Sequence, residues 1–258
     1  MRTLDLNCDM GELQPHQKRN FDEEIMPYIS SCNIACGFHS GTPSLIEKTI
    51  RAAINHRIKI GAHPSYYDRE NFGRVSKKVE SSQLLSQLKY QICAVKGMVE
   101  NYGRKLDHIK PHGALNNMAC ENLELATTLA VAIKEIDKDI IYLVPTGSQM
   151  EVAAKNNSLR IACEIFADRN YEDNGNLISR TKPNALITDP ELAKKHVLNM
   201  VKNQAINCLS GKQIPCEIDS VCIHGDNESS LATAKSIRDN LIDNGLKLKP
   251  LTLMRKFL

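Results

Sequence analysis

The stretch Thr3-Leu4-Asp5-Leu6-Asn7-Cys8-Asp9-Met10-Gly11-Glu12 opens the chain with a short apolar strand that runs into two acids. Four later apolar stretches each run into a histidine: residues 31–36 before His39, 58–62 before His63, 107–110 before His112, and 219–223 before His224-Gly225-Asp226. In a barrel of parallel strands, the C-terminal strand ends open onto one face, where active sites lie. The recurrence therefore predicts an enzyme whose titratable groups converge from distant parts of the chain.

Amphipathic helical stretches separate these strands. The clearest spans residues 82–102, where Leu84, Leu88, Ile92 and Val95 share one face. Further helices are predicted over residues 44–56, 123–136, 148–156, 190–201 and 228–244, and two more strands over 140–144 and 161–167. About seven strands alternating with helices indicate an α/β fold, either a (β/α) barrel of parallel strands or an open doubly wound sheet.

The composition is that of a globular protein. The 258 residues carry a net charge of +3 without a long basic run, which favours neither nucleic acid nor an anionic membrane as partner. The apolar runs are far shorter than the roughly 20 residues that span a bilayer. The first strand begins almost at once and leaves no room for a signal peptide, so we expect a cytoplasmic protein. No linker divides the chain, and we predict a single domain over residues 1–258.

The cysteines and two irregular segments complete this prediction. Nine cysteines without a secretory signal are expected to be reduced, and the absence of a CxxC spacing argues against a structural zinc site. Residues 168–188 form a long polar segment, and a loop of that length is typical of an active-site lid. Residues 207–217 are expected to form a surface hairpin.

Several motifs, taken in order, point to a family. They are Asp5-Leu6-Asn7-Cys8-Asp9-Met10-Gly11-Glu12, Asn33-Ile34-Ala35-Cys36-Gly37-Phe38-His39, Gly61-Ala62-His63-Pro64-Ser65-Tyr66, Phe72-Gly73-Arg74, Lys110-Pro111-His112-Gly113-Ala114-Leu115, Glu164-Ile165-Phe166-Ala167-Asp168-Arg169, Asp173-Asn174-Gly175-Asn176-Leu177 and Ile223-His224-Gly225-Asp226. This series resembles the LamB/YcsF family, the A subunits of bacterial 5-oxoprolinase, over nearly the whole chain.

The resemblance implies a barrel of the glycoside hydrolase/deacetylase type with fewer than eight strands. It also implies ATP-dependent opening of the lactam 5-oxoproline to L-glutamate, together with partner subunits B and C. Four positions differ from the family pattern: residues 13–16, Thr42, Asn116 and the pair Asn227-Glu228. These differences fall in loops on the expected active face, so they bear on the identity of the substrate rather than on the fold.

Opening a lactam requires a base for water, an acid for the ring nitrogen, and cations near a phosphoryl group. The candidate catalytic residues are Asp9, Glu12, His39, His63, His112, His224 and Asp226, because imidazoles suit proton transfer and carboxylates can orient them or hold Mg²⁺. Candidate substrate- or phosphate-binding residues are Arg74, Lys110, Arg169 and Arg180. The histidines outside the motif ends, His16, His56, His108 and His196, are expected at the surface.

Simpler interpretations exist for several of these residues. A strand-end histidine can be purely structural, Asp226 can be the N-cap of the last helix, and Arg74 and Arg180 can be solvated surface charges. No Gly-x-x-x-x-Gly-Lys-Ser/Thr loop occurs, so ATP binds through the barrel-mouth loops or chiefly on a partner.

Two other functions remain open. One is a metal-dependent deacetylase or amidohydrolase, in which converging histidines and an acid bind Zn²⁺. The other is a non-catalytic scaffold protein whose partners carry the chemistry.

Overall fold

Seven parallel strands close into a barrel in the computed structural model, which describes residues 2–13, 20–225 and 230–258. The barrel strands are β1 (Thr3–Met10), β2 (Ser31–Ala35), β3 (Lys59–His63), β4 (His108–Ile109), β5 (Ile141–Pro145), β6 (Arg160–Phe166) and β9 (Ser220–Ile223). Strand β1 pairs with β2 on one side and with β9 on the other, and the remaining neighbours follow in the order β2-β3-β4-β5-β6-β9. Closure decides between the two arrangements that the sequence left open, and it confirms the predicted (β/α) barrel of about seven strands.

Helices surround the barrel in the connections between strands. They are α1 (Asp22–Ile25), α2 (Pro43–Asn55), α3 (Ser81–Asn101), α4 (Gly113–Glu121), α5 (Leu123–Ile136), α6 (Gln149–Asn156), α7 (Pro190–Asn203) and α8 (Ser230–Asp243). Most lie within a few residues of the predicted bounds. Helices α1 and α4 were not predicted from the sequence, because both are too short for a clear apolar period; α4 starts directly after the motif histidine His112. Among the described residues, no helix is long and apolar enough to cross a membrane.

Much of the inside of the barrel is polar, which is unusual for a packed β-barrel, although Ile141, Leu143 and Ala162 form a small apolar cluster there. On β1 the apolar residues Leu4, Leu6 and Cys8 alternate with polar ones and are fully buried in the main apolar core. Successive side chains of a strand point to opposite faces. The intervening polar residues, Asp5 and Asn7 among them, bond to side chains of other barrel strands, so they face inward. The largest apolar cluster therefore lies between the strands and the helices.

The two irregular segments lie outside the barrel strands, and the chain end packs against inward-facing residues of β5 and β6. The predicted hairpin is confirmed as β7 (Ala205–Asn207) paired antiparallel with β8 (Gln213–Pro215). The predicted lid segment is held by isolated bridges, Arg169 to Leu186 and Tyr171 to Leu177. Beyond α8, strand β10 (Lys247–Leu248) pairs with the start of β1. The last residues form 3₁₀ turns whose apolar side chains pack on β5 and β6.

Candidate active site

A cavity of about 460 Å³ opens at the C-terminal ends of the barrel strands. Its volume lies within the roughly 300–1,000 Å³ that is usual for small-molecule sites. The structure brings nine of the eleven predicted site residues into its lining: Asp9, Glu12, His63, Arg74, Lys110, His112, Arg169, Arg180 and His224. His39 lies directly behind this wall. Asp226 lies outside the described residues, as does His16.

His63 and His112 face each other at the floor of the cavity. His63 Nε2 lies 3.0 Å from His112 Nδ1, and both rings are buried. The other nitrogen of each ring contacts a backbone carbonyl: His63 Nδ1 lies 2.6 Å from the oxygen of Lys110, and His112 Nε2 lies 2.9 Å from that of Phe72. A carbonyl oxygen can only accept, so these ring nitrogens carry the protons. When both rings are neutral, the two facing nitrogens are therefore the unprotonated ones.

Glu12 closes the third side of this floor. Its Oε1 lies 3.6 Å from His112 Nδ1 and 3.9 Å from His63 Nε2. His39 supports it from behind, with Nε2 2.7 Å from the same oxygen and Nδ1 2.9 Å from the hydroxyl of Ser65. The His39 ring also stacks on His112, with centroids 3.8 Å apart and planes only 8° from parallel. His39 therefore positions both Glu12 and His112.

The Phe72-Gly73 turn explains why this cluster is so compact. Gly73 has a φ of +65°, and a Cβ there would lie 2.8 Å from His39 Cβ and 2.9 Å from His112 Cδ2. Only glycine allows both this left-handed conformation and this approach to the rings. The turn thereby places the Phe72 carbonyl against His112, and the Gly73 carbonyl accepts the backbone N–H of Ala114 at 2.8 Å.

A buried ion-pair network lies beneath the floor. Lys110 Nζ is 2.9 Å from Asp9 Oδ1 and 3.4 Å from Glu164 Oε2, and it also contacts Cys222 Sγ at 2.9 Å. All of these groups are buried. The second oxygen of Asp9, Oδ2, lies 3.3 Å from His63 Nε2. Asp9 therefore links the buried ammonium to the histidine floor.

The surroundings of Asp9 and Glu12 shift the pKa values of these two acids in opposite directions. Burial alone would raise the pKa of Asp9, but the charges of His63 and Lys110 hold that pKa well below its usual value. Burial raises the pKa of Glu12, and His112 and His63 offset this only in part. Burial lowers the pKa values of His39 and His112, and neighbouring imidazoles lower them further. Asp9 is thus the stable carboxylate of the floor.

A second acid–histidine pair forms the opposite wall. His224 Nδ1 lies 2.7 Å and 2.8 Å from the two oxygens of Asp168, and its ring stacks on Phe166 with centroids 5.9 Å apart. Burial would raise the pKa of Asp168, but His224, reinforced by Arg180 and Arg169, lowers it. The carboxylate therefore fixes His224 with its Nδ1–H donated. A nitrogen of His224 lies within 4.8 Å of a carboxylate oxygen of Asp9, so the two walls face one another closely.

The cationic side chains predicted to bind substrate or phosphate differ in the contacts that they make within the protein. Arg169 is buried and donates to the backbone carbonyls of Ala185 and Ile178, so it braces the predicted lid segment. Burial, together with the nearby charge of Arg180, lowers the pKa of Arg169 to about 10. The guanidinium of Arg74 lies 4.9 Å from the centroid of the Phe72 ring, at the cavity rim. The ammonium of Lys110 is committed to the buried acids beneath the floor.

Several residues of the site were missed from the sequence. Glu164, Cys222 and Asp168 were not predicted as site residues. Glu164 and Cys222 nevertheless occupy alternate strand positions whose side chains point into the barrel. His108 was expected at the surface, and this was wrong. It is buried inside the barrel with Nε2 2.6 Å from Asn33 Oδ1, because Gly61 on the neighbouring strand leaves room for the ring.

Two positions that depart from the family pattern have defined roles. Thr42 is the N-cap of α2, where its hydroxyl accepts the backbone N–H of Leu45 at 3.2 Å. Asn116 lines the cavity, and its buried Oδ1 has no hydrogen-bond partner among the described residues. A buried carbonyl oxygen without a partner is costly, so Asn116 is a candidate acceptor for a ligand N–H.

Comparisons with known proteins agree with this fold. The model of the LamB/YcsF family matches residues 4–256. The chain is 41% identical to a 5-oxoprolinase A subunit from Clostridium beijerinckii over 251 residues, which cover 97% of this chain and 98% of that protein. It is 43% identical to a 5-oxoprolinase A subunit from Campylobacter jejuni, with coverage of 93% and 94%.

Comparison with solved structures also supports this fold. The lactam utilization protein of Thermus thermophilus superposes with a TM-score of 0.89 at 35% identity, covering 97% of this chain and all of that one. The catalytic domain of a peptidoglycan N-acetylglucosamine deacetylase from Eubacterium rectale shares the fold alone, with a TM-score of 0.51 at 12% identity over 98% of this chain and 89% of that one. The family match over residues 4–256, the near-full-length sequence identity and the shared barrel show that this chain belongs to the LamB/YcsF family.

Proposed function

We propose that this chain is the lactam-opening component of an ATP-dependent 5-oxoprolinase that works with partner subunits B and C and converts 5-oxoproline to L-glutamate. The proposal rests mainly on one observation. Two acid–histidine groups, one around His63 and His112 and the other His224 with Asp168, face each other across one small cavity. Near-full-length similarity to proteins named as 5-oxoprolinase A subunits, and to one named a lactam utilization protein, supports the choice of substrate.

The chemistry calls for activation of a stable amide. Transfer of a phosphoryl group from ATP to the amide oxygen ends the amide resonance, so water can add to the ring carbon. The C–N bond then breaks as the ring nitrogen gains a proton, and a second water releases phosphate from the acyl phosphate. The balance is one ATP and two waters consumed for one glutamate, one ADP and one phosphate. In this proposal ATP binds either through the loops of the barrel mouth or chiefly on a partner subunit.

The residues of the cavity can be assigned to these steps. Water lies at the floor beside Glu12, His63 and His112, and Asp9 accepts its proton, since Lys110 keeps Asp9 ionised and in place. His224, oriented by Asp168, delivers a proton to the departing ring nitrogen. A pair of groups held on opposite sides of the scissile bond suits an addition that needs a base on one side and an acid on the other.

Cations at the rim suit an anionic substrate. Arg74 and Arg180 line the cavity above the floor and would pair with the substrate carboxylate and the phosphoryl group. Arginine presents a planar fork that matches both groups. Lys110 does not contact the phosphoryl group in this proposal, because its ammonium already neutralises Asp9 and Glu164. Its role is to keep Asp9 ionised and in place.

The experiment that tests the proposal is glutamate release from 5-oxoproline, measured with and without ATP. The chain is assayed alone and then mixed with candidate B and C subunits. Glutamate that appears only when ATP, both partners and this chain are all present supports the proposal. A folded chain that adds nothing to the activity of the partners would overturn it and favour the scaffold alternative. Release without ATP would favour the metal-dependent amidohydrolase.

A further inference from the structure

We infer that Glu12, His63 and His112 form a binding site for one divalent transition-metal ion, with an open position that faces the cavity. The inference rests on the arrangement of hydrogen bonds and distances in the floor, and it holds whichever amide the cavity accepts. Two imidazoles and one carboxylate form one of the three-ligand sets that leave a fourth position of a catalytic zinc ion free for water.

The protonation of the rings supports this site. His63 and His112 each donate one N–H to a backbone carbonyl, and their remaining nitrogens face each other at 3.0 Å. Two lone pairs at that distance repel one another unless a cation lies between or beside them. A ligating histidine usually donates its second N–H to a carbonyl or carboxylate, which fixes the tautomer for metal binding. Both rings of the floor show this arrangement.

The distances also fit. Bonds of about 2.1 Å to a tetrahedral ion place neighbouring ligand atoms about 3.4 Å apart. The three separations here are 3.0 Å between the ring nitrogens, and 3.6 Å and 3.9 Å from Glu12 Oε1 to His112 Nδ1 and His63 Nε2. They bracket the required value, so shifts of a few tenths of an ångström complete the site. All three side chains line the cavity, which leaves the fourth position accessible.

His39 is close to these residues but is placed to support the site rather than to bind the ion. Its ring is stacked parallel to that of His112 at 3.8 Å. Two parallel stacked imidazoles cannot both direct an in-plane lone pair at one ion. His39 instead places its Nε2 2.7 Å from Glu12 Oε1, which as a carboxylate oxygen accepts, and its Nδ1 2.9 Å from the hydroxyl of Ser65. Hydrogen bonds of this kind to a ligating carboxylate orient it for binding.

The donor set indicates which ions bind. Imidazole nitrogens suit Zn²⁺ and its first-row neighbours, whereas Mg²⁺ prefers oxygen ligands and retains several waters. Asp9, the other carboxylate of the floor, is engaged by Lys110 at 2.9 Å. When bound, such an ion would polarise a water or a carbonyl oxygen at the open position.

The test is metal binding by the purified chain, without substrate or partners. Zn²⁺ affinity and stoichiometry are measured by calorimetry after removal of metal with a chelator, and Co²⁺ serves as a spectroscopic probe. We expect one ion per chain, with affinity reduced at least about 100-fold in His112→Gln and in Glu12→Gln, and about 10- to 100-fold in His39→Gln. His56→Gln, on the exposed end of α2, is the matched control and should bind as the wild type does.

Two results would overturn the inference. One is the absence of stoichiometric binding to the folded wild-type chain, which would leave a shared proton as the cation between His63 and His112. The other is binding that His112→Gln does not weaken. If a variant fails to fold, the Co²⁺ complex of the wild type decides the matter: d–d bands of a four-coordinate site without thiolate charge transfer support it, and strong thiolate bands place the ion at one of the nine free cysteines instead.

Discussion

His63 Nε2 and His112 Nδ1 lie 3.0 Å apart although each ring has already committed its other nitrogen to a backbone carbonyl. The strand ends of β3 and β4 bring the two rings together, and the Phe72-Gly73 turn holds one of them in orientation. Such a pair is stable only with a cation close by or with a proton shared between the rings. A divalent ion at this position, as inferred above, would polarise the amide that the reaction opens.

The pair on the opposite wall gives a direct prediction about proton transfer. Asp168→Asn removes the charge that holds His224, so we expect kcat for glutamate formation to fall about 10²- to 10⁴-fold, with KM changed only a few-fold. Asp173→Asn, at an exposed site in the lid segment, is the control. Both variants are assayed in the complete complex across a range of pH. A fall of less than threefold in Asp168→Asn would remove His224 and Asp168 from the proposed acid role.

Much of this architecture could be predicted from the sequence. Short apolar strands that end in histidines correctly indicated the barrel and the convergence of His63, His112 and His224. What the sequence did not reveal depends on contacts between distant residues. Whether the sheet closes is decided by the pairing of β1 with β9. The burial of His108 depends on a glycine one strand away, and the commitment of Lys110 depends on acids from β1 and β6.

Lys110 should be important for stability. Lys110→Met leaves Asp9 and Glu164 buried without their counter-charge, and breaking a buried ion pair in this way costs about 3–5 kcal/mol. Lys155→Met removes an exposed pair with Glu151 and should cost less than about 0.5 kcal/mol. The free energy of unfolding from urea titrations compares the two. Equal losses would mean that the buried network contributes little beyond a surface pair.

Replacing either of two glycines by alanine should change the stability of the fold, in opposite directions. At Gly61 an added Cβ would lie 2.2 Å from His108 Nε2, so Gly61→Ala should displace that ring from Asn33 and destabilise the fold by about 1–3 kcal/mol. Gly97 lies within α3 with open space around it, and Gly97→Ala should stabilise the fold by about 0.5–1 kcal/mol. Thermal and urea unfolding measure both changes. A neutral Gly61→Ala would show that the barrel interior repacks freely.

Asp22 should make stability depend on pH. Burial raises its pKa to about 7, although the N–H of Gly11, donated at 2.8 Å, partly opposes this. An unfolded aspartate titrates near pH ~3.9, so between these values the folded chain binds the proton more tightly than the unfolded chain does. The stabilisation is therefore complete below about pH 4 and is lost as the pH rises to 7, by on the order of 2–4 kcal/mol. Asp22→Asn, which cannot ionise, should lack this component.

The check is a difference curve between the wild type and Asp22→Asn, measured by urea unfolding at several pH values from about 4 to about 8, which span the two pKa values. Titration of the other groups is common to both chains and cancels to first order. Parallel curves would mean that Asp22 ionises at its ordinary pKa in the folded protein.

The central claim is that this chain carries the ring-opening chemistry, and His112→Gln tests it most directly. The complex is reconstituted with partner subunits B and C and with either the wild-type chain, His112→Gln or the control His56→Gln, after circular dichroism has verified folding. Glutamate formed from 5-oxoproline in the presence of ATP is then measured. We predict that His112→Gln reduces turnover at least about 100-fold, while His56→Gln leaves it unchanged. Undiminished turnover with His112→Gln would contradict the account and place the chemistry on the partners.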